Sequence, residues 1–172
     1  MAINFPSSPA IGDTVTVGTK VWRWDGTAWI GSSTSSGSSA TLDNMFSLSG
    51  ITTNGTTQTL TTNGSTAGAS NQVILSNDTT VAFDILIVAR RTDTDNEGAG
   101  FQFFGVIDRN TNEASTAIIG NVVKNVLAED SLTWDANVSA DTTYGGIKVE
   151  VTGEAAKTIS WAATVWVTKV TG

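Results

Sequence analysis

The residues of this chain that could hold a metal ion lie in one short acidic stretch, DTDNEG (residues 93–98). Its carboxylates, Asp93, Asp95 and Glu97, occupy alternate positions with glycine sixth, as at the start of an EF-hand calcium loop. That loop also needs a bidentate carboxylate at position twelve, which here is Phe104. We therefore favour a solvated hairpin loop whose acids offset the preceding arginines, with a structural cation site as the alternative.

Hydrolysis of a glycosidic bond by two carboxylates is a second chemistry that the composition would permit. The candidates are Asp84, Asp108, Glu113, Glu129, Asp130 and Glu150, and their spacing favours no pair. Asp84 differs from the others because it lies within an apolar run, where a buried carboxylate needs a partner. The nearest arginines in sequence are Arg90, Arg91 and Arg109. We predict a structural ion pair for Asp84, not a catalytic role.

The chain contains no histidine and no cysteine. This composition removes the Ser-His-Asp triad, cysteine nucleophiles, disulfides and thiolate metal sites. The Gly-Ala-Gly sequence at 98–100 lacks both the spacing and the following helix of a phosphate-binding loop. The sequence predicts that the protein is not an enzyme and uses no cofactor.

Tryptophan side chains offer contact surfaces instead of reactive groups. Trp22, Trp24 and Trp29 fall within eight positions, more than about thirty residues can bury alone. They form either the small core of a β unit or a docking surface for another chain, and sugar stacking is a third interpretation.

The remaining aromatic residues divide into core and surface by strand alternation. Trp134 and Trp161 fall on the apolar phases of their strands and are predicted to lie in the core. Trp166 falls on the opposite phase, which makes it a candidate subunit contact. Tyr144 and Trp166 are also candidate stacking platforms for sugar rings.

One predicted hairpin organises the larger part of the chain. The apolar runs Val81–Ala89 and Phe101–Ile107 flank a polar segment that contains glycine, which is typical of two strands joined by a wide loop. The first run is apolar on both phases, since Ala82, Leu86 and Val88 alternate with the larger residues. Such a strand is expected inside a packed β domain, not at a wet edge.

Composition along the chain predicts three segments. Residues 1–30 form a small β unit with an Asp-Gly hairpin turn, residues 31–41 a Gly/Ser-rich linker, and residues 42–172 a β domain. Regularly spaced short strands and the absence of a long amphipathic pattern favour an all-β fold. The expected architecture is a small N-terminal hairpin unit and an antiparallel β-sandwich, with a jelly roll as one form that the sandwich could take.

The overall charge and hydropathy argue against nucleic acids and membranes as partners. The formal net charge is −7, so nucleic-acid binding is disfavoured by repulsion from phosphates. The N-terminal residues have neither a basic region nor an apolar run, so we expect no signal peptide, and we expect no membrane insertion because no apolar stretch approaches the length of a spanning helix.

Two stretches resemble parts of tailed-bacteriophage virion proteins. INFPSSPAIGDTVTVGTKVWRWDGTAWIG (Ile3–Gly31) resembles a short N-terminal module of such proteins, through its NFPSSP opening, TVTVG strand and W-x-W-D-G-x-x-W close. Segments between Ala82 and Trp161, such as AFDILIVARRTDT, EGAGFQFFGVIDRN and VLAEDSLTWD, are similar to a β domain of phage fibres and other virion-surface proteins.

The resemblance implies a non-enzymatic virion structural protein, made in the host cytoplasm and located on the head or tail surface. It implies a homotrimer whose N-terminal unit anchors it to other virion proteins. Because the Gly/Ser-rich linker between the two units has only eleven residues, a small appendage is expected, either a capsid decoration (cement) protein or a short head or tail fibre. The alternative is a carbohydrate-binding module that recognises a host-surface glycan during attachment.

Overall fold

The structure, a computed structural model, describes residues 5–17, 20–33, 41–94 and 97–172. Its contacts divide the chain into two compact units, Met1–Ser39 and Ala40–Gly172. Apart from one 3-10 turn at Glu113–Ser115, the regular structure of the described residues consists of strands, and the sheets are antiparallel. The all-β prediction is confirmed.

The first unit is a three-stranded sheet of β1 (Thr14–Val17), β2 (Lys20–Trp24) and β3 (Trp29–Ser33), paired in that order. The Asp-Gly turn joins β2 to β3. Asp25 Oδ1 accepts hydrogen bonds from the backbone N–H groups of Thr27 and Ala28, each at 2.7 Å, and Gly26 has a φ of +108°. The carboxylate therefore caps the turn, and glycine supplies the left-handed backbone that the turn needs.

The boundaries of the predicted linker 31–41 need correction. β3 continues to Ser33, which pairs with Lys20, and the next strand begins at Thr41. Small polar residues join these strands because backbone pairing does not require an apolar side chain. Residues 34–40 lie outside the described residues.

The second unit is a β-sandwich. The strands are β4 (Thr41–Thr52), β5 (Thr57–Thr59), β6 (Val73–Ile74), β7 (Thr79–Arg91), β8 (Gly98–Arg109), β9 (Ala117–Glu129), β10 (Asp135–Asp141), β11 (Gly146–Thr152) and β12 (Ile159–Thr171). The five-stranded sheet has the order β4-β12-β7-β8-β9, and the smaller sheet has the order β10-β11-β5, with β6 also paired to β11.

The five-stranded sheet contains one Greek key. Strands β7, β8 and β9 pair in succession, and β12 returns from the smaller sheet to lie beside β7. A jelly roll combines two Greek keys across its two sheets, whereas here β7, β8 and β9 follow one another within a single sheet.

The core lies between the inner faces of the two sheets. The predicted hairpin is confirmed as β7 and β8, with Ile85 opposite Phe103 and Ile87 opposite Phe101, and all four side chains are buried. Trp134 and Trp161 are also buried, as predicted, with ring centroids 6.1 Å apart. Strand alternation thus directs every second residue of β7, β8 and β12 into the core.

Candidate functional site

The five-stranded sheet has one covered face and one uncovered face. Along β7, Val81, Phe83, Ile85, Ile87 and Ala89 are buried, and the residues between them are exposed. β7 pairs with β12 and β8, so the prediction that it is not an edge strand is confirmed. We also expected the other apolar residues of β7, Ala82, Leu86 and Val88, to be packed. That expectation is wrong within a single chain, because all three are exposed. The smaller sheet covers only the inner face, and we call the other one the outer face.

Strand register arranges the outer face in transverse rows. One row crosses all five strands through the paired residues Met45, Trp166, Asp84, Phe104 and Val123. Neighbouring side chains in such a row lie about 5 Å apart and contact one another. Trp166, 44% exposed, therefore stands between a methionine and the central strand of a continuous surface.

The two faces that the sandwich presents outward differ in chemistry. Large exposed apolar residues recur on all five strands of the outer face: Met45, Ile51, Leu86, Val88, Phe104, Ile119, Val123, Leu127, Trp166 and Val170. The corresponding positions on the smaller sheet are polar: Asp135, Asn137, Ser139, Lys148, Glu150 and Thr152. Extended exposed apolar patches mark interaction sites. The outer face is therefore the candidate functional site.

Asp84 lies at the centre of the outer face. It is exposed, and its carboxylate accepts hydrogen bonds from Gln102 Nε2 at 3.1 and 3.4 Å. The predicted burial of Asp84 is wrong because strand alternation directs it away from the core. Arg91 and Arg109 pair with other carboxylates, and the hydrogen-bond donor found for Asp84 is Gln102. Gln102, one row away on β8, was not identified from the sequence.

The acidic loop between β7 and β8 forms ion pairs. Arg91 Nε lies 2.6 Å from Asp93 Oδ1 and Arg91 Nη1 lies 3.1 Å from Glu97 Oε2. Lys157 Nζ lies 2.9 Å from Glu97 Oε1. The hydrogen bond from Arg91 holds the pKa of Asp93 below its usual value, and the one from Lys157 does the same for the pKa of Glu97. Both carboxylates thus already have cationic partners.

The alternative interpretation of this loop, a structural cation site, receives no geometric support from the described residues. Asp95, its middle candidate, lies outside the described residues. In the part of the chain that the structure does describe, no three acidic residues converge as metal ligands would.

Tyr144 and Trp166, the predicted stacking platforms, belong to different sheets. Tyr144 is half-buried in the turn between β10 and β11, whereas Trp166 lies on β12 of the five-stranded sheet. The turn is held by Asp141, whose carboxylate accepts from the backbone N–H groups of Thr143 and Tyr144 at 2.8 and 3.0 Å. The two aromatic rings therefore do not share one sheet face.

The N-terminal tryptophans form an aromatic cluster within their own unit. Phe5 stacks on Trp29 at 5.0 Å between ring centroids and meets Trp22 edge-on at 5.6 Å. Trp24 contacts Trp29 at 5.6 Å. All three tryptophans are half-buried, so this cluster has the character of a small core that keeps some aromatic surface exposed.

An apolar groove lies beside that cluster. Ile11 and Ile30 are well exposed and line it with Arg23, Trp24 and Asp25. Its surface suits a docking contact of the kind expected for an anchoring unit.

Glu154 forms a polar cluster that sequence analysis did not identify. Its Oε2 accepts hydrogen bonds from Ser131 Oγ at 2.8 Å, Thr133 Oγ1 at 3.0 Å and Trp134 Nε1 at 3.2 Å, and Lys157 Nζ lies 2.8 Å away. The Lys157 ammonium, followed by the Ser131 hydroxyl, lowers the pKa of Glu154 to about 2. The cluster joins the β9–β10 and β11–β12 connections and satisfies the polar edge of a buried tryptophan.

We expect Glu154 to make stability depend on acid pH. Because its pKa in the folded protein lies below the ordinary value of 4.5, its contribution is complete above about pH 4.5 and is lost as the pH falls toward about 2. In Glu154→Gln, the melting temperature should be lower at neutral pH and should change less between about pH 5 and pH 2.5. Circular dichroism melting curves would measure both effects.

Ser131→Ala is the matched comparison, since it removes one hydrogen-bond donor and leaves Lys157 in place. Its pH dependence should lie between those of the wild type and Glu154→Gln. Equal pH dependence in all three proteins would contradict the assignment.

Comparison of the sequence with models of known protein families and with curated proteins gave no significant match. Within the described ranges, no helix has the length and apolar character needed to cross a bilayer.

Proposed function

We propose that this chain is a non-enzymatic structural protein of a tailed-bacteriophage virion surface. It forms a homo-oligomer, expected to be a homotrimer, and acts as a capsid decoration protein or as a short head or tail fibre. The N-terminal unit anchors it to other virion proteins. The observation that carries the proposal is the difference between the apolar outer face and the polar opposite face of the sandwich, since a face of this kind is buried in an assembly.

Two further observations support the proposal. The sequence resembles virion modules in both units, and the N-terminal unit has exposed apolar residues, Ile11 and Ile30, beside its aromatic cluster. Three of the carboxylates considered for catalysis have other partners: Glu113 pairs with Arg109, Glu150 pairs with Lys148, and Asp130 accepts a hydrogen bond from the backbone N–H of Gly98. Carboxylates that are bonded in this way hold parts of the fold together, as expected in a structural protein.

The mass of the purified full-length chain in solution tests the proposal. Size exclusion with light scattering should give three times the chain mass of 17.9 kDa, and antibody labelling should then place the protein on intact particles. A chain that stays monomeric at high concentration and binds neither capsids nor tails would contradict the proposal.

Recognition of a host glycan is the second candidate, favoured by the 44% exposure of Trp166. Its neighbours across the sheet are Met45 and Asp84, and Phe104 follows in the same row. This mostly apolar row suits protein packing better than a sugar ring with its many hydroxyl groups. Binding to a glycan array that is lost in Trp166→Ala would favour this second function.

A further inference from the structure

We infer that the outer face is the surface through which copies of this chain contact one another. The inference rests on the proposed function, because it identifies the outer face as the contact surface of the proposed homo-oligomer. The occupant is a second copy of the same chain, and the size, charge and outline of the face support this choice.

The outer face has the size of a stable interface between protein subunits. Five strands spaced about 4.8 Å apart and ten residue steps along β7, each about 3.3 Å, give an area of about 600–800 Å². Stable complexes bury about 800 Å² on each partner. A single face can therefore supply most of the contact that a persistent oligomer needs.

The distribution of charge favours self-association at this face. Two chains of formal net charge −7 repel each other over most of their surfaces. Among the outer-face residues whose side chains the structure describes, the charged ones are Asp84, Arg90 and Asp108, two acids and one base. Copies can approach here with little repulsion, whereas the loop acids and the polar sheet lie elsewhere.

The central carboxylate is already hydrogen-bonded within its own chain. Gln102 donates to both oxygens of Asp84. Because a buried polar group without a partner destabilises an interface, this bond lowers the cost of covering Asp84 with another copy.

The apolar surface continues to an open strand edge. β9 is thirteen residues long, and among the described strands of the sheet it pairs only with β8. Ile119, Val123 and Leu127 are exposed along it. Long apolar edges are normally shielded because they pair with other chains, so an assembly that covers the outer face together with β9 protects both.

The width of the sheet also fits three copies. Three sheets about 20 Å wide that close a triangle each stand about 6 Å from the central axis, by simple geometry. This distance is close to half the separation of about 10 Å between stacked sheets. Side chains of ordinary size on β7 and its neighbours would fill the space between such sheets.

The test compares the same substitution on the two opposite faces of the sandwich. Val88→Lys places a charge on the outer face at a position 52% exposed in the single chain, and Asn137→Lys places it on the exposed polar face. Neither change alters a core residue, so both variants should fold, and circular dichroism would verify this. We expect Val88→Lys to raise the concentration for half-assembly by more than about tenfold. We expect Asn137→Lys to leave it unchanged.

Trp166→Ala provides a second outer-face variant that adds no charge and should weaken assembly in the same direction. A wild-type oligomer that all three variants leave intact would overturn this inference but not the proposed function, since the copies would then meet elsewhere. A wild-type chain that is monomeric at every concentration would overturn both. Disruption by the two outer-face variants alone would support the assignment.

Discussion

Trp161→Ala is expected to lower the free energy of unfolding by about 3–5 kcal/mol, the cost usual for deleting a large buried aromatic side chain. Trp161 is 2% exposed on β12, and its ring packs against Trp134. Its indole N–H donates to Thr52 Oγ1 at 2.9 Å. The substitution therefore leaves a cavity between the two sheets and a buried hydroxyl on β4 without its donor.

Trp166→Ala is the control for this prediction because it removes the same side chain from the same strand, five residues away on the outer face. Urea unfolding followed by circular dichroism would measure both variants over a range of protein concentrations. Trp161→Ala should be destabilised at every concentration. Trp166→Ala should lose stability only where the wild type is assembled. Equal losses for the two variants in dilute solution would contradict the assignment of the core.

Arg109→Ala is expected to lower the free energy of unfolding by about 2–4 kcal/mol, because hydrogen bonds from a buried charged group are among the stronger ones. Arg109 is 7% exposed. Its Nη1 donates to the carbonyl oxygens of Leu75 at 2.7 Å and Gly145 at 3.4 Å, and its Nη2 lies 2.6 Å from Glu113 Oε1. The guanidinium thus joins β8 to the segment after β6 and to the β10–β11 turn, which are adjacent because the Leu75 N–H donates to the Gly145 carbonyl oxygen at 2.9 Å.

Glu113→Gln is the matched variant, since it removes the charge of the acidic partner and keeps the arginine. The Glu113 side chain is 52% exposed, so its loss should destabilise the fold less than Arg109→Ala does. Urea unfolding of the two variants would show whether the carbonyl contacts dominate. A loss from Glu113→Gln as large as that from Arg109→Ala would show that the ion pair dominates instead.

The local parts of the fold could be predicted from the sequence because strand alternation and turn chemistry are local properties. The hairpin of β7 and β8 follows from its two apolar runs, and the Asp25-Gly26 turn from its residue types. The same alternation placed Trp161 in the core and Trp166 on the opposite face.

The outer face could not be recognised from the sequence alone. Leu86 and Val88 have the same apolar character as residues that a second sheet covers, and alternation does not reveal whether a covering layer belongs to the same chain. Only the extent of the smaller sheet shows that this layer is missing on one side.

Long-range side-chain partners were the least predictable feature. Glu154 meets Ser131 and Thr133 across more than twenty residues of sequence, and Gln102 meets Asp84 across eighteen. These contacts depend on register and on the packing of loops, neither of which leaves a periodic pattern in the residue types.

The position of β12 has a consequence for how the protein is made. β4 is the first strand of its unit to leave the ribosome, but its neighbour in the sheet is β12, the last strand of that unit in chain order. The strands of the meander β7–β8–β9 can pair with one another during translation. β4 cannot join the sheet until β12 has been synthesised and lies between β4 and β7. Such distant pairing folds slowly. A nascent chain stalled before β12 therefore leaves two strand edges open to capture by other chains in the crowded cell.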